Sequence, residues 1–391
     1  MTAAPPTRED VLACARTLAP LLAENAAATE RNRTPLPAVH AAVADAGLYR
    51  LLAAPRLGGF DLGALTHMEV AAILAAACGS SAWVQCLVGY HNFLVGWYPA
   101  EAQDEIMADG RPLFAGLVMG PPVTAERVGG RVRMTGRFPY VSGIDYATCA
   151  MLSARDPDNP ARVLTALIPR RDLVIDDDWH AMGMRGTGSK SVLLDSLVVP
   201  PHRVLTFAET VEKGIPGAAV HGGPLYDGRL SGTLFAMVVA APALGLAAGA
   251  VDAYRERLRT RWNGRMPSSQ VDWPSSQMAL GRANARLANV RAGFYATVGD
   301  FLGRIAAGDG VTTADRVAVR MTTVEAVEEC AAIVRDLFAD AGTGVMVGDN
   351  ALQRAFRDIA MLRSHFVLTP AFAAENAGRV QLGLSPKPPF I

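Results

Sequence analysis

The chain has 391 residues, half of them apolar, and its 37 basic and 37 acidic residues cancel to a formal charge of zero. Because a single hydrophobic core stops growing at roughly 250–300 residues, a chain of this length is expected to fold as two or three domains. The balanced charge excludes a strong net field of the kind that holds nucleic acid or an anionic membrane, so we expect neither partner.

The cysteines and the N-terminus bear on the cellular compartment. The five cysteines are odd in number, widely dispersed and never spaced as C-x-x-C, which predicts neither a disulfide framework nor a zinc site. Arg8, Glu9 and Asp10 occupy positions where a signal peptide needs its apolar core, so export is not expected. The sequence therefore predicts a cytoplasmic protein without a bound metal.

Residues 1–112 carry helix signals and are predicted to form an all-helical N-terminal domain. Thr7 with Asp10, and Thr66 with Glu69, match the pattern in which a hydroxyl and a carboxylate satisfy free N–H groups of a first helical turn. Stretches rich in alanine and leucine follow these signals, and such stretches suit helices that pack closely on one another.

The pattern changes in residues 113–206. Short apolar or alternating runs there lie between clusters of glycine, proline and aspartate, which is typical of strands joined by turns. We predict a middle β domain, built as a small barrel or a sandwich, with a β-barrel as the expected form. Residues 207–228 are rich in glycine and proline and are predicted to form a linker loop.

Residues 229–391 contain four long helical patterns with few breakers, which predicts a C-terminal four-helix bundle. The patterns cover 230–262, 276–307, 313–341 and 351–376. The first contains an uncharged stretch, 230–251, that is long enough to span a bilayer. Because this stretch is mostly alanine and glycine and is interrupted by Pro242, we interpret it as a buried bundle helix.

Common catalytic and nucleotide-binding motifs are absent or broken. Residues 183–191 are similar to a phosphate-binding loop, but an extra residue separates the second glycine from Lys190, and a strand-like segment follows where a helix is needed. No G-x-S-x-G, H-E-x-x-H or E-x-x-H sequence occurs, and the dinucleotide fingerprint is missing. The sequence therefore lacks the usual motifs of serine hydrolases, zinc proteases, di-iron proteins and nicotinamide-dependent enzymes.

The order of helices, a β middle and a four-helix bundle resembles the acyl-CoA dehydrogenase superfamily of flavoproteins. Several motifs occur in the same order as in that family, and together they cover nearly the whole chain. They are RFPYVSG at 137–143, WHAMGMRGTGS at 179–189, PPHR at 200–203, RWNG at 261–264 and QRAFRD at 353–358.

One position separates this chain from the dehydrogenases of the superfamily. Many of them carry their glutamate base about eight residues beyond the Arg-Asp pair, where this chain has His365, and no acid occurs at 231–251, the other common location. The sequence instead resembles the flavin-dependent monooxygenase branch, the oxygenase components of two-component systems. In that branch one histidine follows the Arg-Asp motif, as His365 does, and another precedes the β domain, as His91 does.

This resemblance implies the chemistry. Reduced FAD or FMN, delivered by a separate flavin reductase, would react with O2 to a C4a-hydroperoxide, which lasts only where water is excluded. The substrate would be an aromatic, heteroaromatic or polycyclic small molecule. His365 and His91 are the expected catalytic residues, because an imidazole with a pKa near 6.5 can accept or donate a proton at neutral pH. His365 also follows Asp358 and Leu362 at helical spacings, which predicts one shared helix face.

Further site residues follow from the resemblance and from one aromatic helix. Expected cofactor contacts are Val141, Ser142, Gly143, Arg261, Gly342, Thr343 and Gly344. Expected substrate contacts are Trp83, Tyr90 and Phe93, which lie close together on one predicted helix. Some monooxygenases of this branch carry a serine on the first β strand, whereas residues 113–119 contain no hydroxyl.

Two other functions remain open from the sequence. One is an acyl-CoA oxidoreductase with a displaced base, and the other is a non-catalytic protein that keeps the fold as a binding or assembly scaffold. We expect a homotetramer, because of the motif order and because the bundle helices carry too few charged residues to stand exposed.

Overall fold

The computed structural model describes residues 5–108, 113–117, 123, 125–260 and 270–387. The N-terminal part is helical, as predicted, and its first helix begins at the Thr7 capping box, where the Thr7 and Asp10 side chains each pair with the other's backbone N–H. Its helices are α1 (Arg8–Asn32), α2 (Pro37–Asp45), α3 (Gly63–Ala77), α4 (Gly79–Val95) and α5 (Ala100–Met107).

The middle part forms two four-stranded sheets. The strands are β1 (Phe114–Leu117), β2 (Ala125–Val128), β3 (Arg131–Val141), β4 (Cys149–Arg155), β5 (Val163–Pro169), β6 (Val174–Asp176), β7 (Lys190–Val199) and β8 (Val204–Thr206). One sheet has the order β1-β4-β5-β8, the other β2-β3-β7-β6, and only the β1/β4 pair is parallel. Among the described strands no pairing joins the two sheets, so the expected barrel is corrected to a sandwich-like pair of sheets that share one apolar core.

The C-terminal part contains the long helices, with two short ones in the segment that was predicted to be a loop. They are α6 (Phe207–Glu212), α7 (Ala218–His221), α8 (Ser231–Thr260), α9 (Pro274–Ala307), α10 (Thr313–Asp340), α11 (Ala351–Arg363) and α12 (Pro370–Gln381). The helix predicted over 351–376 is broken, because α11 ends at Arg363 and a 3-10 turn at Phe366–Leu368 leads to Pro370, which cannot continue a helical hydrogen-bond ladder. His365 therefore lies in this connection and not on the helix face shared with Asp358 and Leu362.

Helix α8 is the buried centre of the fold and packs closely on α3. A Cβ at Gly245 would lie 2.1 Å from the carbonyl oxygen of Ala72, and one at Gly249 would lie 2.3 Å from that of Ala76. Glycine at these positions lets the two helix backbones touch. Among the described residues, the helical segment Gly228–Thr260 alone is long and apolar enough to cross a membrane, and 83% of its most apolar window is buried within the protein. This burial agrees with the predicted bundle helix.

Candidate active site

A cavity of about 530 Å³ lies where the three parts of the chain meet. Its walls come from α4, from the end of β3, from the loop before β7, from α8 and from the connection after α11. This volume lies within the range of roughly 300–1,000 Å³ that is typical of cofactor and small-molecule sites. A second, more open hollow of about 360 Å³ adjoins it and shares Tyr140, Trp179, Ser189 and Met361 with it.

Helix α4 contributes one wall through residues spaced four apart. Trp83, Leu87 and His91 line the cavity, and this spacing places them on one face of the helix. Across from them, a Cβ at Gly116 of β1 would lie 3.0 Å from the imidazole of His91. The missing side chain at Gly116 thus makes room for the His91 ring, whose Nδ1 is buried and has no hydrogen-bond partner among the described residues.

A row of buried hydroxyls forms the polar side of the cavity. Trp83 Nε1 donates to Ser142 Oγ at 3.2 Å, and Ser142 Oγ lies 2.7 Å from Ser189 Oγ. Ser189 Oγ lies 2.6 Å from Thr187 Oγ1, which in turn donates to the carbonyl oxygen of Met184 at 2.9 Å. The row joins α4 to β3 and to the loop before β7.

Helix α11 holds the loop that carries these hydroxyls. The Met184 amide donates to Asp358 Oδ1 at 2.6 Å, and Trp179 Nε1 donates to the Met184 carbonyl at 3.1 Å. A Cβ at Gly183 would lie only 1.9 Å from the carbonyl oxygen of Arg357, so no other residue fits between the loop and the helix. Burial raises the pKa of Asp358 to about 6.

His365 is surrounded by aromatic rings at the other end of the cavity. Its ring centroid lies 5.7 Å from Trp83, 5.6 Å from Phe235 and 4.7 Å from Phe366. Its Nδ1 accepts a hydrogen bond from the amide of Val367 at 3.4 Å. A neutral imidazole whose Nδ1 accepts carries its proton on Nε2, so this ring presents a donor to a molecule in the cavity.

The cavity excludes charge. None of the described residues that line it is an aspartate, glutamate, lysine or arginine. Burial lowers the pKa of both His91 and His365 to about 4, so both imidazoles are neutral at pH 7. The described lining therefore offers hydroxyls and neutral imidazoles, and it provides no carboxylate of the kind that an acyl-CoA dehydrogenase uses to remove an α-proton.

Buried neutral histidines also make stability depend on pH. Burial lowers the pKa of His67, which lies outside the cavity and bonds the Cys86 carbonyl, to about 4. The unfolded chain takes up this proton below about pH 6.5, so the stabilisation is present above that pH and is lost as the pH falls towards 4. Between pH 7 and pH 5 this amounts to about 2 kcal/mol for one residue.

When the pH falls from 7 to 5, the free energy of unfolding of the unaltered protein should decrease by more than that of His67→Gln. The expected difference between the two decreases is about 2 kcal/mol. Urea unfolding at both pH values measures this difference. Asp358 acts in the opposite sense, because its raised pKa makes the folded state less stable as the pH rises from about 4 to 6. Its contribution is the same in both proteins and cancels. His180→Gln, at an exposed position, is the control, and an equal effect of the two substitutions would contradict the interpretation.

Four of the residues expected at the site lie together. Trp83, His91, Ser142 and His365 all line the cavity, although they come from α4, the residue after β3 and the connection after α11. Other expected residues support it from outside. Val141 is buried in the core between the sheets, and Gly143, with a φ of +78°, packs against α4 without lining the cavity.

Tyr90 and Phe93 are not among the residues that line the cavity, although both belong to α4. Tyr90 stacks behind Phe235 with 5.2 Å between ring centroids. Phe93 lies 5.1 Å from the ring of Tyr226, in the core of the N-terminal part. Within one chain both rings pack against other aromatic side chains, and their contact with a substrate stays a prediction.

The remaining expected cofactor contacts do not line the cavity within one chain or lie outside the described residues. Gly342, Thr343 and Gly344 form the turn after α10, and a Cβ at Gly344 would lie 2.7 Å from the guanidinium of Arg257. This turn does not line the cavity. Arg261 lies outside the described residues.

The sequence did not single out several lining residues. Trp179, Thr187 and Ser189 belong to the 179–189 motif, so the motif itself was a usable signal for them. Tyr140 lies in the 137–143 motif and faces the mouth of the cavity with 59% of its surface exposed. Phe235 had no local signal, because only the packing of α8 against α4 and the residues after α11 brings it to the site.

The chain matches known proteins over almost its whole length. Residues 237–370 match the family described as acyl-CoA dehydrogenase, C-terminal domain. The oxygenase subunit HsaA of a flavin-dependent monooxygenase from Rhodococcus jostii (strain RHA1) is 28% identical over 346 residues, which are 88% of this chain and 90% of that subunit.

Solved structures agree with this match. The crystal structure of the HsaA monooxygenase from M. tuberculosis superposes with a TM-score of 0.91 at 26% identity and covers 99% of this chain and 100% of its own. XiaF from Streptomyces sp., solved with FADH2 and glycerol, superposes with a TM-score of 0.87 at 28% identity and covers 98% of each chain.

Proposed function

We propose that this chain is an oxygenase component of the flavin-dependent monooxygenase branch of the acyl-CoA dehydrogenase superfamily. Its cavity takes reduced FAD, and the protein hydroxylates a neutral aromatic, heteroaromatic or polycyclic molecule with O2. One observation carries the proposal. Two neutral histidines and a row of hydroxyls converge on an aromatic-walled cavity in which the described lining has no charged residue.

The cavity suits a flavin ring. Its polar side presents the hydroxyls of Ser142 and Ser189, and Tyr140 and Trp179 border the passage to the adjoining hollow. The unpartnered Nδ1 of His91 is a buried polar atom that a bound molecule or its water could satisfy. We propose that these residues hold the flavin, with its phosphate-bearing tail in the adjoining hollow. The bound reduced flavin would supply the activation of O2. FAD is preferred because XiaF was solved with FADH2.

The aromatic end of the cavity suits the substrate. Phe235, Phe366 and Trp83 surround His365 and would exclude water around a flat apolar molecule. We propose that the Nε2–H of His365 donates a hydrogen bond to an oxygen or nitrogen of that molecule. Such a donor stabilises negative charge that develops on the substrate, in the way that a neutral imidazole can serve as an electrophile.

Anaerobic mixing with reduced FAD tests the function. After oxygen is admitted, we expect a long-lived absorbing species that is neither reduced nor oxidised flavin, and hydroxylated product when an aromatic substrate is present. If bound reduced FAD oxidises as fast as free FAD and yields no product, the proposal fails. Bleaching of bound oxidised flavin by an acyl-CoA would support the dehydrogenase alternative, and a protein that binds flavin in neither state would support the scaffold alternative.

The uncharged lining predicts discrimination between substrates. A carboxylate buried without a partner loses its hydration, and no described lining residue compensates that loss. We expect the protein with reduced flavin bound to hold indole at least about tenfold more tightly than indole-3-acetate. Indole-3-acetamide is the control, because it matches the acid in size and has no charge, and it should bind nearly as well as indole. Equal or tighter binding of the acid in anaerobic titrations would contradict the uncharged-substrate proposal.

The reductase partner, the oligomeric state and the cellular compartment are also proposals. A separate reductase would supply the reduced flavin, because the sequence lacks a nicotinamide fingerprint. We propose a homotetramer, supported by Met346 and Val347, which are 57% and 77% exposed in a single chain beside the Gly342–Gly344 turn. Light scattering that finds a monomer at micromolar concentration would contradict this. All five cysteines are free thiols, which supports a reducing cytoplasm, and fractionation of cells would test it.

A further inference from the structure

The hydroxyl row has one direction in which all four of its contacts are hydrogen bonds. At one end the indole N–H of Trp83 can only donate, and at the other end the carbonyl of Met184 can only accept. Each hydroxyl between them has a single proton. All four contacts are satisfied only if Ser142 donates to Ser189, Ser189 donates to Thr187, and Thr187 donates to Met184.

This direction uses the proton of Ser142. Its Oγ accepts from Trp83 and gives its own proton to Ser189, so a lone pair is all that it can offer to the cavity. In the opposite direction Thr187 donates to Ser189, Ser189 donates to Ser142, and Ser142 points its proton into the cavity. Of the four contacts, this direction loses the hydrogen bond from Thr187 Oγ1 to the Met184 carbonyl at 2.9 Å. The lost hydrogen bond is a buried one, since Thr187 is 0% and Met184 3% exposed, so its loss disfavours the opposite direction.

We propose that Thr187 and Ser189 set the redox preference of the site by holding Ser142 as a hydrogen-bond acceptor. The inference rests on the proposed flavin function and on Ser142 facing N5 of the flavin ring. N5 carries a hydrogen in the reduced ring and only a lone pair in the oxidised ring. An acceptor at Ser142 therefore pairs with reduced flavin and opposes the lone pair of oxidised flavin. Thr187 is a positioning residue in this scheme, since it acts through the other two hydroxyls.

Binding of the two redox states tests the proposal without turnover. In anaerobic titrations we expect the unaltered protein to bind reduced FAD more tightly than oxidised FAD. Thr187→Val removes the hydroxyl that accepts from Ser189, which frees Ser142 to reorient. The preference for reduced over oxidised FAD should therefore fall about tenfold. A tenfold change in the ratio equals a shift of about 30 mV in the two-electron midpoint potential of the bound flavin. Thr187→Ser keeps the hydroxyl and should retain the preference.

Two further variants separate this effect from damage to the fold. Thr165→Val breaks a second buried hydroxyl pair, Ser153 Oγ to Thr165 Oγ1 at 2.9 Å, between β4 and β5. Neither residue lines the cavity, so this variant should leave the preference unchanged. Ser189→Ala interrupts the row at another point and should lower the preference as Thr187→Val does, so the test survives if one variant does not fold.

The outcomes are distinct. A folded Thr187→Val or Ser189→Ala protein with the original preference overturns the inference. A preference that is also lost in Thr165→Val, or an unaltered protein that binds both redox states equally, overturns it as well. A protein that binds FAD in neither state overturns the proposed function itself, which is a different result from any of these.

Discussion

Replacing His365 with alanine should lower product formation by about 10²-fold or more, while reduced flavin still binds and the oxygen consumed appears as hydrogen peroxide. The expectation follows from where the ring lies. His365 borders the aromatic end of the cavity, whereas Ser142 and Ser189 line its polar side. Removing the imidazole therefore removes the donor proposed for the substrate and leaves the hydroxyl row intact.

The structure also changes the role expected of His365. The sequence allowed either an acid or a base, but Nδ1 is used by the Val367 amide and burial lowers the pKa to about 4. A neutral ring with its proton on Nε2 cannot accept a second proton readily at pH 7. It can donate a hydrogen bond, so we expect the His365 contribution to stay constant from pH 6 to pH 9, with no loss near pH 6.5.

A structural histidine would behave differently. Product per flavin oxidised and melting temperature should be measured on His365→Ala and on His67→Gln. Burial lowers the pKa of both imidazoles, and of the two only His365 lines the cavity. We expect His67→Gln to keep the yield of product. A His365→Ala protein with a lowered melting temperature and an unchanged yield would contradict the catalytic assignment.

Local sequence patterns predicted that helices occur in these segments, but they predicted the residue at which a helix begins correctly in some cases and wrongly in others. The same hydroxyl and acid spacing occurs at Thr7 and at Thr66, but only Thr7 caps a helix. Helix α3 begins at Gly63, and Thr66 Oγ1 donates to the carbonyl of Leu62 within the helix, while Glu69 pairs with Arg8 of α1. Packing of α3 against α8 extends the helix past a signal that the local sequence cannot rank against tertiary contacts.

The candidate site was predictable where motifs carried it. Ser142 and His365 were found because they belong to ordered motifs, although the motif did not reveal that His365 leaves the helix. Phe93 packs against Tyr226 and does not line the cavity, because a cluster of aromatic residues on one helix does not reveal which of them meet the cavity. The hydroxyl row joins residues 47 and 59 positions apart, and such contacts exist only after the sheets and α4 have docked.

Breaking the ion pair between Arg357 and Glu30 should have the largest effect on stability. Arg357 of α11 forms two contacts with the Glu30 carboxylate of α1, one at 2.9 Å, and its Nη1 donates to the Met182 carbonyl at 2.9 Å. The two side chains are 17% and 12% exposed. We expect Arg357→Met to lower the free energy of unfolding by roughly 3–5 kcal/mol, because it leaves a buried carboxylate whose nearest other cation is the half-exposed Arg185 at 3.6 Å.

A neighbouring pair on the same helix supplies the matched control. Arg354 pairs with Asp349, whose side chain is 41% exposed and can be rehydrated when its partner is lost. Arg354→Met should therefore change the unfolding free energy by no more than about 1 kcal/mol. Adding Glu30→Gln to Arg357→Met should recover much of the loss, because the unpaired buried charge is the main source of the destabilisation. Urea unfolding of the four proteins at pH 7 decides this.

Loss of the Arg357–Glu30 ion pair should also affect the cavity, because Arg357 holds the loop before β7 that lines it. Arg357 binds the carbonyl of Met182, and the adjacent Asp358 binds the amide of Met184, whose carbonyl ends the hydroxyl row. We therefore expect the folded fraction of Arg357→Met to bind reduced FAD more weakly, whereas Arg354→Met should bind it normally. Equal losses of stability in the two variants would show that burial of the Glu30 pair has no special weight. Unchanged flavin binding in Arg357→Met would show that Asp358 alone suffices to hold the loop.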